Sequence, residues 1–279
     1  MRNLHMGERT FKWIVRVFLL CCLLLVAFPV VWLAISSFKN QMEFMADPMA
    51  WPTVFRISNY VKAWKEMNLS AYLFNSLILV IGTAVLYFLM LSTTAYVLAK
   101  YQFCMRGVLE MAYFIAMMIP AVLQLTPMYY LFDSVGWTDN RVALILIYSV
   151  ISIPAGIFLV MGFVKQINNA FLEAAVIDGA NEFQIFGNVI LPMIKPVLFF
   201  SVLGNIMGTW NEYTIALTFV SSPAKYPVSI GLHFMENSAG DKGIVFAGLV
   251  IALIPVLVLY GLFQKQIQEG VSADSGVKG

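Results

Sequence analysis

Six stretches of this chain are apolar over roughly the 20 residues that a membrane-spanning helix needs. They are Val17–Ile35, Leu73–Leu98, Met111–Leu131, Val142–Val164, Val197–Val220 and Ile244–Phe263, and Glu212 is the only charged residue in any of them. None shows the period-two alternation of a membrane barrel. Pro29, Pro120, Pro127, Pro154 and Pro255 lie inside these runs, where neighbouring helices re-satisfy the carbonyls that proline leaves unbonded. Charged residues make up only 11% of the chain and hydrophobic ones 61%. A soluble domain carries about 25% charged residues, so this chain could not cover itself with a water-compatible surface. The expected fold class is an all-α membrane protein with six transmembrane helices in a single domain.

The first run follows Arg2, Arg9, Lys12 and Arg16, a basic segment like that of a signal peptide. It is longer than a usual signal core, and Ser36-Ser37-Phe38-Lys39 offers no small-residue cleavage site, so a retained anchor is expected. With the N-terminus inside, the inner segments hold 10 of the 17 Lys and Arg residues and the outer segments 7. That bias places the N-terminus on the cytoplasmic side, and six spans bring the C-terminus back to the same side.

Several chemistries are unsupported. The net charge of +2 and the lack of a basic patch interleaved with aromatics argue against nucleic acid. Cys21, Cys22 and Cys104 form no Cys-x-x-Cys pair, and His5 and His233 are far apart, so neither a zinc site nor a thiol nucleophile is expected. No Gly-x-x-x-x-Gly-Lys-Ser/Thr loop occurs, so ATP cannot be cradled by that route.

The segment between the fourth and fifth runs, Lys165–Lys195, is long for a loop in a compact membrane protein. It carries two helix signals in tandem. Asn168 or Asn169 can cap a first helix, and Gly179 after Asp178 suits its left-handed end. Asn181 with Gln184 three residues later forms a capping-box variant that starts a second helix. Pro192 and Pro196 are expected to end that helix and lead into the fifth span. A helix pair lying on the membrane surface makes sense if something docks onto it.

Glu173-Ala174-Ala175, three residues, Gly179, nine residues, then Val189-Ile190-Leu191-Pro192 resembles the EAA loop of ABC importer permeases. Val189 stands where that family has Ile. Asn59-Tyr60, Asn75-Ser76, Trp210-Asn211-Glu212-Tyr213 and the tail Gly276-Val277-Lys278-Gly279 resemble the carbohydrate-uptake branch. Among two-permease pairs, the chain is similar to the MalG-like member. The resemblance implies the type I importer fold, with the EAA coupling loop at 165–195 and a cytoplasmic tail at 264–279. It also implies a partner set: a MalF-like second permease, a dimer of ATPases binding ATP and Mg, and a solute-binding protein. No catalytic residue is expected in this chain.

The chemistry of the loop agrees with docking. Ala174, Ala175, Gly179 and Ala180 are small enough for close backbone approach. Phe171, Phe183 and Phe186 offer apolar anchors, and Glu173 and Asp178 offer carboxylates to a basic partner. The competing reading is a solvated amphipathic helix without a partner.

In the fifth run, Ser201, Gly204, Asn205, Gly208, Thr209 and Glu212 fall within roughly 140° of helix circumference, with Leu203 expected on the opposite face. The stripe suits either helix packing through Gly204 and Gly208 or a translocation path. Candidates for that path are Gln124, Asn205, Thr209, Trp210, Asn211, Glu212 and Tyr213. An ionisable residue in a span is a functional candidate by default, and Glu212 lies roughly 24 Å up its helix. Asn75-Ser76 is expected to cap its own helix, and Ser92, Thr93 and Thr94 to bond back to theirs. A sugar or oligosaccharide is the expected cargo. The alternatives are a solute such as a glycerol phosphate or a stand-alone secondary transporter.

Overall fold

The computed structural model describes the backbone of residues 2–275 and the side chains of residues 11–265. The cytoplasmic tail expected at 264–279 therefore lies almost wholly outside the described side chains. The described backbone is helical, without strands. Among the described residues, five segments are long and apolar enough to cross a membrane: Phe11–Ser36, Leu69–Lys100, Arg141–Gln166, Glu182–Asn211 and Lys242–Lys265. A sixth is counted if Arg106–Met118 and Ala121–Ser134 form one broken span, since they meet at 108°.

Among the described residues the α-helices run in chain order as α1 (Arg2–Ser36), α2 (Gln41–Ala46), α3 (Ser58–Lys65), α4 (Leu69–Lys100), α5 (Arg106–Met118), α6 (Ala121–Ser134), α7 (Arg141–Gln166), α8 (Ala170–Ile177), α9 (Glu182–Ile185), α10 (Leu191–Asn211), α11 (Thr214–Phe219), α12 (Val228–Ser238) and α13 (Lys242–Ser275). They pack as two units, Met1–Ser70 with Leu232–Ile254 and Ala71–Gly231 with Pro255–Gly279.

In the first unit, Asn59 ties the end of α1 to α3. Its amide donates to Ser37 O and Lys39 O, both at 2.8 Å, and Tyr60 pairs with the Ser37 hydroxyl at 2.6 Å. Lys39 is buried, and its ammonium donates to Pro48 O at 2.8 Å and Asp47 O at 3.2 Å. Gly243 presses against that backbone: a Cβ there would sit 1.9 Å from Lys39 O. The Asn59-Tyr60 pair thus has a folding role.

The second unit is built on α7, which buries Ile153, Ile157, Val160 and Val164 against Leu91 and Leu98 of α4 and Ile194 and Leu198 of α10. At the tightest point, a Cβ on Gly156 would lie 2.1 Å from the Tyr87 hydroxyl and 3.1 Å from Ser201 Oγ. Tyr87 and Ser201 are themselves hydrogen-bonded at 2.8 Å. Pro120 separates α5 from α6, and the Gln124 amide donates back to Ile119 O at 3.1 Å. One carbonyl left open at the break is satisfied in this way.

Candidate functional site

The Lys165–Lys195 loop folds into two short surface helices, each with the capping chemistry its sequence carries. Helix α8 ends in a Schellman motif. Gly179 takes φ 81°, its N–H donates to Val176 O at 3.0 Å, and Ala180 N–H donates to Ala175 O at 2.9 Å. At the start of α8, Asn168 Oδ1 accepts the Ala170 amide at 3.0 Å. Asn181 and Gln184 form the reciprocal capping box of α9, at 2.8 and 3.0 Å.

The exit from α9 differs from the expectation. Pro192 and Pro196 do not end the helix. The chain instead runs through a π turn, Phe186–Ile190, directly into α10. Leu191 N–H bonds to Phe186 O, five residues back, and Pro192 follows as the second residue of α10. Pro196 stays inside α10. The wide turn supplies the adjustment that a proline near a helix junction requires.

The loop presents an apolar face outward. Ile177 is 85% exposed, Phe183 88% and Phe171 54%, with Val176 beside them. Glu173, Ala174, Asp178 and Gly179 are exposed as well, whereas Ala175 and Ala180 are half-buried against the core of the second unit. Phe186 turns inward onto Tyr96, ring centroids 5.4 Å apart.

The loop is anchored from α4 by residues that the sequence did not single out. Lys100 donates to Ile167 O at 2.5 Å and to Asn169 Oδ1 at 2.9 Å. Tyr101 donates to Glu182, which Tyr96 also reaches at 3.4 Å. Burial first, and then the bond to Glu182, hold the Tyr101 hydroxyl well above the usual phenol range. The one sequence signal for Lys100 was its place as the first cation after an apolar run.

The stripe of α10 divides when folded. Ser201, Asn205 and Thr209 are buried, and Asn205 donates to Ser152 Oγ of α7 at 3.0 Å. Among the described residues, nothing outside the neighbouring backbone of α10 comes within 4 Å of a Cβ placed on Gly204 or Gly208. Leu203, on the opposite face of α10, is also buried, at 6% exposure. Trp210 is buried, and Asn211 bonds back to Met207 O at 2.9 Å.

Glu212 sits where the fifth apolar run breaks. Its carboxylate accepts the amides of Ile215 and Ala216 at 2.7 and 3.0 Å, at the start of α11, and the Tyr148 hydroxyl at 2.9 Å. A carboxylate on free helix amides is favourable, so this charge has a structural task. It also borders a cavity of about 290 Å³ with Tyr148, Ser152, Gly208 and Thr209. Of the other path candidates, Gln124 borders a different, larger cavity, and Tyr213 is half-buried next to Glu212.

Asn75-Ser76 does not cap its own helix. Asn75 donates to Ala224 O at 2.9 Å and Tyr226 O at 3.0 Å and accepts from Arg141 at 2.8 Å, while Ser76 Oγ accepts Val228 N–H at 2.8 Å. The same loop is clamped by Asp139, which holds the Ser221 and Ser222 amides and pairs with Lys225 at 2.6 Å. Burial would raise the Asp139 carboxyl, but the bonds from Lys225 and Ser222 outweigh it and hold it well below the usual range. Ser92 and Thr93 bond back to Phe88 O and Leu89 O, both at 2.7 Å.

These features define a multi-pass helical membrane protein with a capped surface helix pair between two long apolar helices. Residues 92–272 match the family described as the binding-protein-dependent transport system inner membrane component, and the chain belongs to that family. It is 30% identical to the diacetylchitobiose uptake system permease NgcG of Streptomyces coelicolor, over 95% of this chain and 89% of that one. It is 31% identical to the probable ABC transporter permease YurM of Bacillus subtilis, over 100% and 91%. The trehalose/maltose transport system permease MalG of Thermococcus litoralis is 26% identical over 88% and 90%. The fold matches a crystal structure of a bacterial ABC transporter that imports the acidic polysaccharide alginate. That match has a TM-score of 0.80 at 22% identity, covering 93% of this chain and 97% of that one.

Proposed function

We propose that this chain is one of two permease subunits of an ATP-driven importer for a sugar or oligosaccharide, and that α8 and α9 dock into an ATPase subunit. The observation that carries the reading is the outward apolar face of Phe171, Ile177 and Phe183 on a loop whose second helix starts in a reciprocal capping box. Large apolar side chains gathered on a water-facing loop mark a protein contact. Relatives named for diacetylchitobiose and for trehalose and maltose support the sugar class.

In this reading the chain has no catalytic site, and ATP and Mg are bound by the partner ATPases. Closure of the ATPase pair moves each docked helix pair, and Lys100 and Tyr101 carry the displacement into α4. The π turn carries it into α10. A MalF-like second permease completes the path, and a solute-binding protein delivers cargo to the side opposite the loop. Both termini are then cytoplasmic, in a plasma membrane. The test is co-purification of an ATPase subunit with Phe183→Asp against the unaltered chain. Retention of the ATPase at the unaltered level, with normal uptake, removes the docking assignment.

A further inference from the structure

The second unit contains a cavity of about 580 Å³ lined by Leu109, Tyr113, Gln124, Met128, Ile147 and Pro154, among others. Its wall is hydrocarbon apart from Gln124, whose side-chain NH2 donates to Ile119 O, and Tyr113, whose hydroxyl makes no hydrogen bond among the described residues. A polyhydroxylated cargo would find almost nothing to bond to there. The cavity therefore does not read as a sugar site.

Its end nearer the surface helix pair is charged. Arg106 lies about one turn before Leu109 on α5, and Glu110 lies beside Leu109 and one turn before Tyr113, at the rim of the cavity. Arg106 Nε is 3.0 Å and Lys165 Nζ 3.8 Å from the same carboxylate oxygen of Glu110. Two cations share one carboxylate, which leaves a net positive charge. Beyond Glu110, the only further contact of the two cations among the described residues is from Arg106 to Tyr101 O, at 3.5 Å. Along α7, Lys165 and Pro154 are about 16 Å apart, close to one leaflet of the roughly 30 Å hydrocarbon core.

We propose that this cavity and its charged mouth bind one anionic phospholipid of the leaflet on the loop side. The phosphate sits between Arg106 and Lys165, the Tyr113 hydroxyl donates to an ester carbonyl, and an acyl chain fills the space up to Pro154. Basic groups at the membrane surface select anionic headgroups, and an acyl chain is the apolar occupant that a bilayer supplies at this depth. The inference rests only on the chain spanning a membrane, so it stands or falls separately from ATPase docking.

The test uses the assembled transporter in nanodiscs containing a photoactivatable phosphatidylglycerol with its reactive group in the acyl chain. Labelled peptides are read by mass spectrometry, and assembly of each variant is checked by size exclusion. Label is expected on α5 and α7. It should fall about fivefold with Arg106→Gln or Lys165→Gln and rise with Glu110→Gln, which frees both cations. Ala116→Trp, which narrows the cavity with the charges intact, should also cut it. Equal labelling by a phosphatidylcholine probe, indifference to the charge variants, or persistence of label in Ala116→Trp would overturn the proposal. Absence of label in α5 and α7 would mean that another protein segment fills the cavity, and would overturn it too.

Discussion

The ammonium of Lys100, the last residue of α4, lies 2.9 Å from the side-chain oxygen of Asn169 at the start of α8. With its second bond to Ile167 O, this contact joins a long apolar helix to the surface loop across 69 residues of sequence. Lys100→Met keeps the aliphatic stem and removes both donations, each worth about 1.5–3 kcal/mol when charge-assisted and well sheltered, and less at this partly exposed site. Hydrogen exchange at Ala170–Ile177 should rise by at least fivefold, with membrane insertion unchanged. Unaltered exchange in that loop would show that the contact bears no load.

Glu212→Gln keeps an acceptor but loses the carboxylate on the α11 amides and on Tyr148. The expected cost is about 1–2 kcal/mol of stability, more for Glu212→Ala, read as a lowered thermal midpoint of the purified complex. A variant with normal stability but lost uptake would return Glu212 to the translocation path.

Gly156→Ala should destabilise by about 1–3 kcal/mol through overpacking, because its methyl group meets the Tyr87 hydroxyl. Adding Tyr87→Phe removes the clashing atom, so the double variant should recover part of the loss despite forfeiting the bond to Ser201. A double variant no better than the single would place the strain elsewhere.

Much of this arrangement was legible in the chain because it is local. The apolar runs follow from composition, and the Gly179 end of α8 and the Asn181–Gln184 box follow from side chains that bond within a few residues. What escaped depends on partners distant in sequence. Asn75 looked like a helix cap because its carbonyl partners lie about 150 residues away. Glu212 looked like an isolated charge because the break that exposes the α11 amides leaves no proline or glycine behind. The burial of Leu203 opposite the stripe is not readable from periodicity, which sets relative direction and not which side meets protein.

Asp139 gives a pH prediction. Its folded carboxyl titrates below its ordinary value of 3.8, so its stabilisation is complete above about 4 and is lost as pH falls through the lower, folded value. Between pH 7 and 5 the loop at Ser221 and Ser222 should show constant protease resistance in the unaltered protein. Asp139→Asn should raise cleavage there at every pH in that range. Equal resistance in both proteins would mean that the clamp is redundant.

The docking of α8 and α9 is tested most directly with Gly179→Pro in the reconstituted transporter, where the left-handed φ of 81° is one that proline cannot adopt. Insertion into the membrane should persist, while ATP hydrolysis stimulated by the solute-binding protein should fall at least tenfold or the ATPase subunit should be lost. Stimulated hydrolysis and uptake at the unaltered level would contradict the account.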